Sequence, residues 1–178
     1  MAWPKVQINA LNQQQGPVTE VERHVLFVGV GTTNPGTLLS VNTQSDFDQL
    51  LGSDDSKLKS NVIAAMKNAG QNWSAGVYVL AAGDNWTEAV KTSQATQSFE
   101  GVAVCDPISD KTALTGAQAL YSELIATYGR WQWMALCSAE IDPVLQTWSA
   151  YETATVALQD TIAADGVMLV PSVFPDAL

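Results

Sequence analysis

Short, unbroken apolar runs alternate with amphipathic stretches along most of this chain, and the two periods predict its elements. The run His24-Val25-Leu26-Phe27-Val28-Gly29-Val30 is continuous and β-branched, as a strand buried on both faces requires. The turn-rich Gly31-Thr32-Thr33-Asn34-Pro35-Gly36 ends it, and Leu38-Leu39-Ser40-Val41 reads as a short edge strand. In Ser45-Asp46-Phe47-Asp48 a capping residue is followed three positions later by an acid, which predicts a short helix through Leu50-Leu51 that Gly52 stops. A second helix is expected over residues 56–69, where Leu58, Val62, Ala65, Met66 and Ala69 share one face and Gly70 follows.

From the strand Gly76-Val77-Tyr78-Val79-Leu80-Ala81 onward the alternation repeats: helix near 86–97, strand 101–105, helix near 111–128, strand 131–137, helix near 144–163, strand 166–170. The two longer helices carry well-formed apolar faces, Leu114, Ala117, Tyr121, Leu124, Ile125 and Tyr128 in one, Trp148, Tyr151, Thr155, Leu158 and Ile162 in the other. Strands that are continuously apolar belong in a sheet covered on both sides, so this βαβαβαβ order predicts an α/β fold, a mostly parallel sheet flanked by helices. Residues 1–20 stand apart. They alternate weakly at Val6 and Ile8, pass through Gln13-Gln14-Gln15-Gly16-Pro17, and read as an extended N-terminal arm attached to a single domain over 21–178.

Composition narrows the partners. Charged residues make up only 15% of the 178, against the quarter or so common in globular chains, so part of this surface is expected to lie against neighbouring subunits. Eight basic and eighteen acidic residues give a net charge of −10, and after Lys111 the single basic residue is Arg130. That balance repels a phosphate backbone and an anionic bilayer, so no nucleic acid and no membrane is expected as a partner. The N-terminus lacks an apolar signal core and no run reaches the length of a membrane span, which reads as a cytoplasmic, soluble chain. Cys105 and Cys137 each lie in an apolar run and are expected as buried, reduced thiols.

The chemistry-bearing residues do not assemble into a reaction centre, so no enzyme and no cofactor is expected. The loop Gly29–Gly36 follows a strand and invites a phosphate-cradling reading, but it lacks the Gly-Lys-Ser/Thr ending of a P-loop, and Asn34 stands where a dinucleotide fingerprint needs its third glycine. A small nucleotide- or phosphate-binding domain using this loop is the alternative function. The single histidine, His24, opens a buried strand, where a hydrogen-bonding role is expected, and neither Cys-x-x-Cys nor His-x-x-x-His occurs. Asp106 and Asp142 each precede a proline just beyond a strand and read as turn formers. Of the six tryptophans, Trp131, Trp133 and Trp148 are expected in the core, whereas Trp73 and Trp86 fall in polar stretches flanking a strand. Trp3 lies in the arm with no local core to join.

The order of the first eighty residues resembles a known family. Gly16-Pro17-Val18 precedes a strand ending Phe27-Val28-Gly29-Val30-Gly31; then come Ser45-Asp46-Phe47-Asp48-Gln49-Leu50-Leu51-Gly52, an amphipathic helix, Asn68-Ala69-Gly70 and Val77-Tyr78-Val79. This is similar to the tail sheath proteins of contractile phages and related injection machines, particularly of Mu-like and other temperate phages, over roughly residues 16–82. The resemblance implies a structural virion protein that self-assembles into rings or a helical tube around a tail tube protein, in the virion tail, after assembly in the host cytoplasm. It also implies an N-terminal part or truncated form of a longer subunit, and arms that add strands to neighbouring sheets, which makes Trp3, Val6 and Ile8 the expected subunit contacts. A minor tail or baseplate protein with a sheath-like domain is the second alternative.

Overall fold

The computed structural model of the protein describes residues 24–69, 72–129, 131–160 and 162–172. Its strands are β1 (Val25–Val30), β2 (Leu38–Asn42), β3 (Ser74–Leu80), β4 (Gly101–Ile108), β5 (Trp133–Ser138) and β6 (Val167–Val170). Its helices are α1 (Phe47–Leu51), α2 (Lys57–Ala69), α3 (Trp86–Thr96), α4 (Lys111–Tyr128) and α5 (Trp148–Gln159). The strands form one sheet in the order β2-β3-β1-β4-β5-β6. All neighbours are parallel except β2, which runs antiparallel to β3 at one edge. The expected α/β fold with a mostly parallel sheet is the one observed.

Helix placement follows from chain direction. The chain steps from β1 to β3 in one sense and from β3 through β4 and β5 to β6 in the other. Crossovers of one hand therefore put their helices on opposite faces. Accordingly α3 packs on β1 and β3, and α4 on β5 and β6 with α5 beside it, whereas α2 packs on β1 and β4 with α1 beside it. Two apolar layers result. Leu26, Val28, Val102, Val104, Met134 and Leu136 meet α3 and α4 on one side, and Phe27, Val77, Val79 and Cys105 meet Leu51, Leu58 and Val62 on the other. Leu26, Val28, Val77 and Leu58 are wholly buried, each contributing about 1.5–3 kcal/mol.

Local chemistry sets most of the boundaries and moves a few of them. Asp46, not Ser45, caps α1: its side chain accepts the amides of Asp48 and Gln49 at 3.1 Å, while the Ser45 hydroxyl turns back to the Asn42 amide at 2.9 Å. α4 starts on Asp110 and ends at Gly129, whose φ of 65° is the left-handed conformation that lets the last carbonyls close. α5 begins at Trp148, four residues later than expected. Asp142 Oδ1 accepts the Val144 and Leu145 amides at 2.9 and 3.0 Å, which commits those residues to a turn. β4 runs on to Ile108 through Asp106-Pro107, with a register shift against β5 between Val104 and Pro107.

Candidate functional site

In a doubly wound sheet, ligands bind outside the carboxyl ends of the strands where the chain's direction of travel reverses. Here that point lies between β1 and β4, and it is filled from within. Asp106 Oδ2 accepts the Val30 amide at 2.7 Å, tying the end of β1 to β4 across the crevice. The crevice, about 370 Å³, is also lined by Asp84 and Asp110. Both are committed locally: Asp84 Oδ2 accepts the Ala81 amide at 2.9 Å, and Asp110 caps α4 through the amides of Thr112 and Ala113. The Thr112 hydroxyl and the Ala113 amide beside it hold the Asp110 carboxyl below its usual range. Three carboxylates and no described cation line this crevice, so it disfavours phosphate.

The glycine-rich loop joins β1 to β2, so it does not lead into a helix as a phosphate-binding loop does. Its glycines answer to packing and turn geometry. A Cβ on Gly29 would stand 3.1 Å from both the Cys105 and Leu58 Cβ atoms, and one on Gly31 would stand 2.8 Å from Val79 Cγ1. The amides of Gly31 and Gly36 donate to the Leu80 and Val79 carbonyls at 3.1 and 2.8 Å, and the Asn34 side chain donates to the Leu50 carbonyl at 3.0 Å. These donors of the loop, with the Val30 amide before it, are thus already committed.

His24 is half-buried just ahead of β1, and its carbonyl accepts the Glu100 amide at 3.0 Å. Among the described residues, no group of three or more His, Cys, Asp or Glu could hold a metal ion, and no helix is long and apolar enough to cross a membrane. Cys105 and Cys137 are both free thiols. Burial pushes the Cys105 thiol up, with the Asp106 carboxylate acting in the same direction, and the half-buried Cys137 is raised for the same two reasons.

The tryptophans depart from expectation. Trp131 is 80% exposed, Trp133 40% and Trp148 61%, so none is a core residue, whereas Trp86 and Trp73 are partly buried against the two apolar layers. Trp131 and Trp133 lie at the start of β5. Trp148 lies beyond its other end with Val144 and Leu145, which are 87% and 86% exposed. Two residues that the sequence pattern passed over organise a buried polar knot: Gln94 Nε2 donates to the Phe99 carbonyl at 2.9 Å and to Gln132 Oε1 at 2.8 Å, while Gln94 Oε1 accepts the Phe99 amide at 3.2 Å. The expected subunit contacts Trp3, Val6 and Ile8 lie outside the described residues.

Fold and crevice together define a doubly wound α/β domain whose switch point is closed by its own carboxylate and whose exposed large apolar side chains sit at both ends of the sheet. The chain belongs to the DUF2586 family: the model of that family's N-terminal domain matches residues 3–178. It is also 45% identical over 177 residues to a protein of Haemophilus phage HP1 (strain HP1c1) described as "Putative tail sheath protein". That match covers 97% of this chain and 47% of the relative, so the chain spans about half the length of the curated relative it matches. The resemblance first drawn over residues 16–82 thereby extends across nearly the whole chain.

Proposed function

We propose that this chain is the N-terminal part of a phage tail sheath subunit, a structural protein of the virion tail that assembles with copies of itself around a tail tube protein in the host cytoplasm. The observation that carries this reading is the 45% identity, sustained over 97% of the chain, to the phage protein described as a tail sheath protein. A switch point tied by Asp106 and a glycine loop whose Gly31 and Gly36 amides already bond within the sheet favour a mechanical over a chemical role. The exposed Trp131, Trp148, Val144 and Leu145 suit protein contacts, which are enriched in such side chains. The arm containing Trp3, Val6 and Ile8 then links subunits by adding a strand to a neighbour's sheet, where β2 and β6 offer edges.

Immunogold labelling of virions separates the sheath from its nearest alternative: label along the tail shaft supports the proposal, and label confined to the baseplate sinks it. Electron microscopy of the concentrated full-length subunit with tail tube protein tests the arm. Deleting residues 1–15 is expected to leave the circular dichroism spectrum intact while ordered rings and tubes disappear; tubes that persist would show that the arm does not link subunits.

A further inference from the structure

Two groups of exposed apolar side chains sit at opposite ends of β5, and each is held in place. At the start of the strand Trp131 is 80% exposed and Trp133 40%, and the Trp133 ring lies across Gly101 of β4, where a Cβ would collide with it. Trp133 shares a sheet face with Ala135, which pairs with Met168 of β6. That half of the face carries no helix among the described residues, and Met168 is 50% exposed on it. Beyond the other end of β5, Val144 and Leu145 are 87% and 86% exposed in a turn whose two amides both donate to Asp142 Oδ1. Trp148, 61% exposed, meets Tyr151 edge-on with ring centroids 6.3 Å apart. Tyr151 is itself buried, its hydroxyl 2.9 Å from that of Ser138, the last residue of β5.

Charge decides where a second copy can approach. With a net charge of −10 two copies repel each other over most of their surfaces, yet residues 131–139 and 143–151 include no charged side chain. Clustered apolar groups of this size mark protein contacts, and side chains already fixed by Gly101, Asp142 and Tyr151 lose little freedom on contact. Symmetry decides how the copies meet. A ring or helical tube of identical subunits needs a heterologous contact, in which one patch meets a different patch on the next copy; a patch that met only itself would stop at a dimer. The six residues of β5, roughly 16–20 Å, separate the two groups, so a copy engaged through one still presents the other.

We propose that Trp131 and Trp133 of one copy pack against Val144, Leu145 and Trp148 of the next, a head-to-tail contact that joins subunits through the domain itself; it rests on the self-assembling role proposed above. The tryptophans supply anchors of the kind that dominate protein interfaces. Repeated from copy to copy, the contact closes a ring or propagates a helix according to the rotation between neighbours.

Sedimentation velocity of the 178-residue chain tests the pairing, at concentrations up to about 1 mM so that even a millimolar contact is populated. The average mass of the parent is expected to rise steadily with concentration and not to level off at a dimer. Trp131→Asp and Leu145→Asp alter exposed side chains and should keep the parent circular dichroism spectrum, and each alone should remain monomeric. Mixed in equal amounts they should form a dimer and nothing larger, because the first retains the Leu145 patch and the second the tryptophan patch. A parent that stays monomeric, single variants that still associate, or a mixture that stays monomeric would overturn the proposal. These masses report on the contact alone, whereas labelling of virions reports on the sheath role, so the failure of one is distinguishable from the failure of the other.

Discussion

Cys105 shows how one buried side chain makes the fold sensitive to pH. It lies where Gly29 and Leu58 close over β4, and burial, reinforced by Asp106, holds its thiol protonated well above the usual range. In the unfolded chain the thiol ionises near its ordinary value of 9.0, so above that pH the unfolded state binds fewer protons than the folded one and stability falls. The slope approaches about 1.4 kcal/mol per pH unit for one fully protected thiol, and Cys137 adds in the same direction. Urea unfolding at pH 8 and pH 10 should show this loss, and Cys105→Ala should flatten it; an unchanged slope would reassign the effect to other groups. Asp110 acts with the opposite sign. Its depressed carboxyl contributes stability above the ordinary carboxylate range that is lost on acidification, so Asp110→Ala should lower stability at neutral pH through loss of the α4 cap, and the difference from the parent should shrink in acid.

At the scale of elements, the links between them are as specific as the elements. Gln94 on α3 satisfies both backbone groups of Phe99 and reaches Gln132 ahead of β5, so a single side chain fixes the turn into β4 and the entry of its neighbour. Phe99 in turn fills the space over Gly76, where a Cβ would stand 2.4 Å from the ring. Gln94→Leu should therefore destabilise by about 1–3 kcal/mol, because the Phe99 amide and carbonyl and the Gln132 side chain are left without their partner in a buried setting. In a double-mutant cycle with Gln132→Leu, measured by urea unfolding, coupling above about 0.5 kcal/mol is expected; simple additivity would show that the two glutamines act separately. Element types and order were legible because period and continuity are local properties: the continuous run at Val25–Val30 and the face Leu58–Val62–Met66 leave little choice of state. Boundaries moved where one side chain chose between partners, as Ser45 did in bonding Asn42, or Asp142 in holding Val144 and Leu145. The polar knot was illegible because Gln94 and Gln132 are 38 positions apart and only the packing of β4 beside β5 brings them within 2.8 Å.

For the whole molecule, the two wound halves of the sheet create a crevice in the place where α/β proteins often bind nucleotides, and the side chains deny it that use. Asp84, Asp106 and Asp110 face it, and Asp106 already holds the Val30 amide. A thermal-shift screen with nucleotides and inorganic phosphate should leave the unfolding temperature unchanged, whereas a ligand present at a hundred times its dissociation constant would add about 2.7 kcal/mol and restore the phosphate-binding alternative. The amino-acid sequence by itself determined the α/β class, the order of the elements, the acidic surface and the kinship to tail sheath proteins, since each rests on composition or on patterns within a few residues. Tertiary structure alone decided that the tryptophans at 131, 133 and 148 face outward, that Asp106 ties the switch point, and that one half-face carries no helix among the described residues. An apolar residue in a strand or an amphipathic helix looks the same in sequence whether or not a neighbour covers it. Coverage is a property of which helices the crossovers lay on each face, and among the described residues they lay α3, α4 and α5 on one side and α1 and α2 on the other.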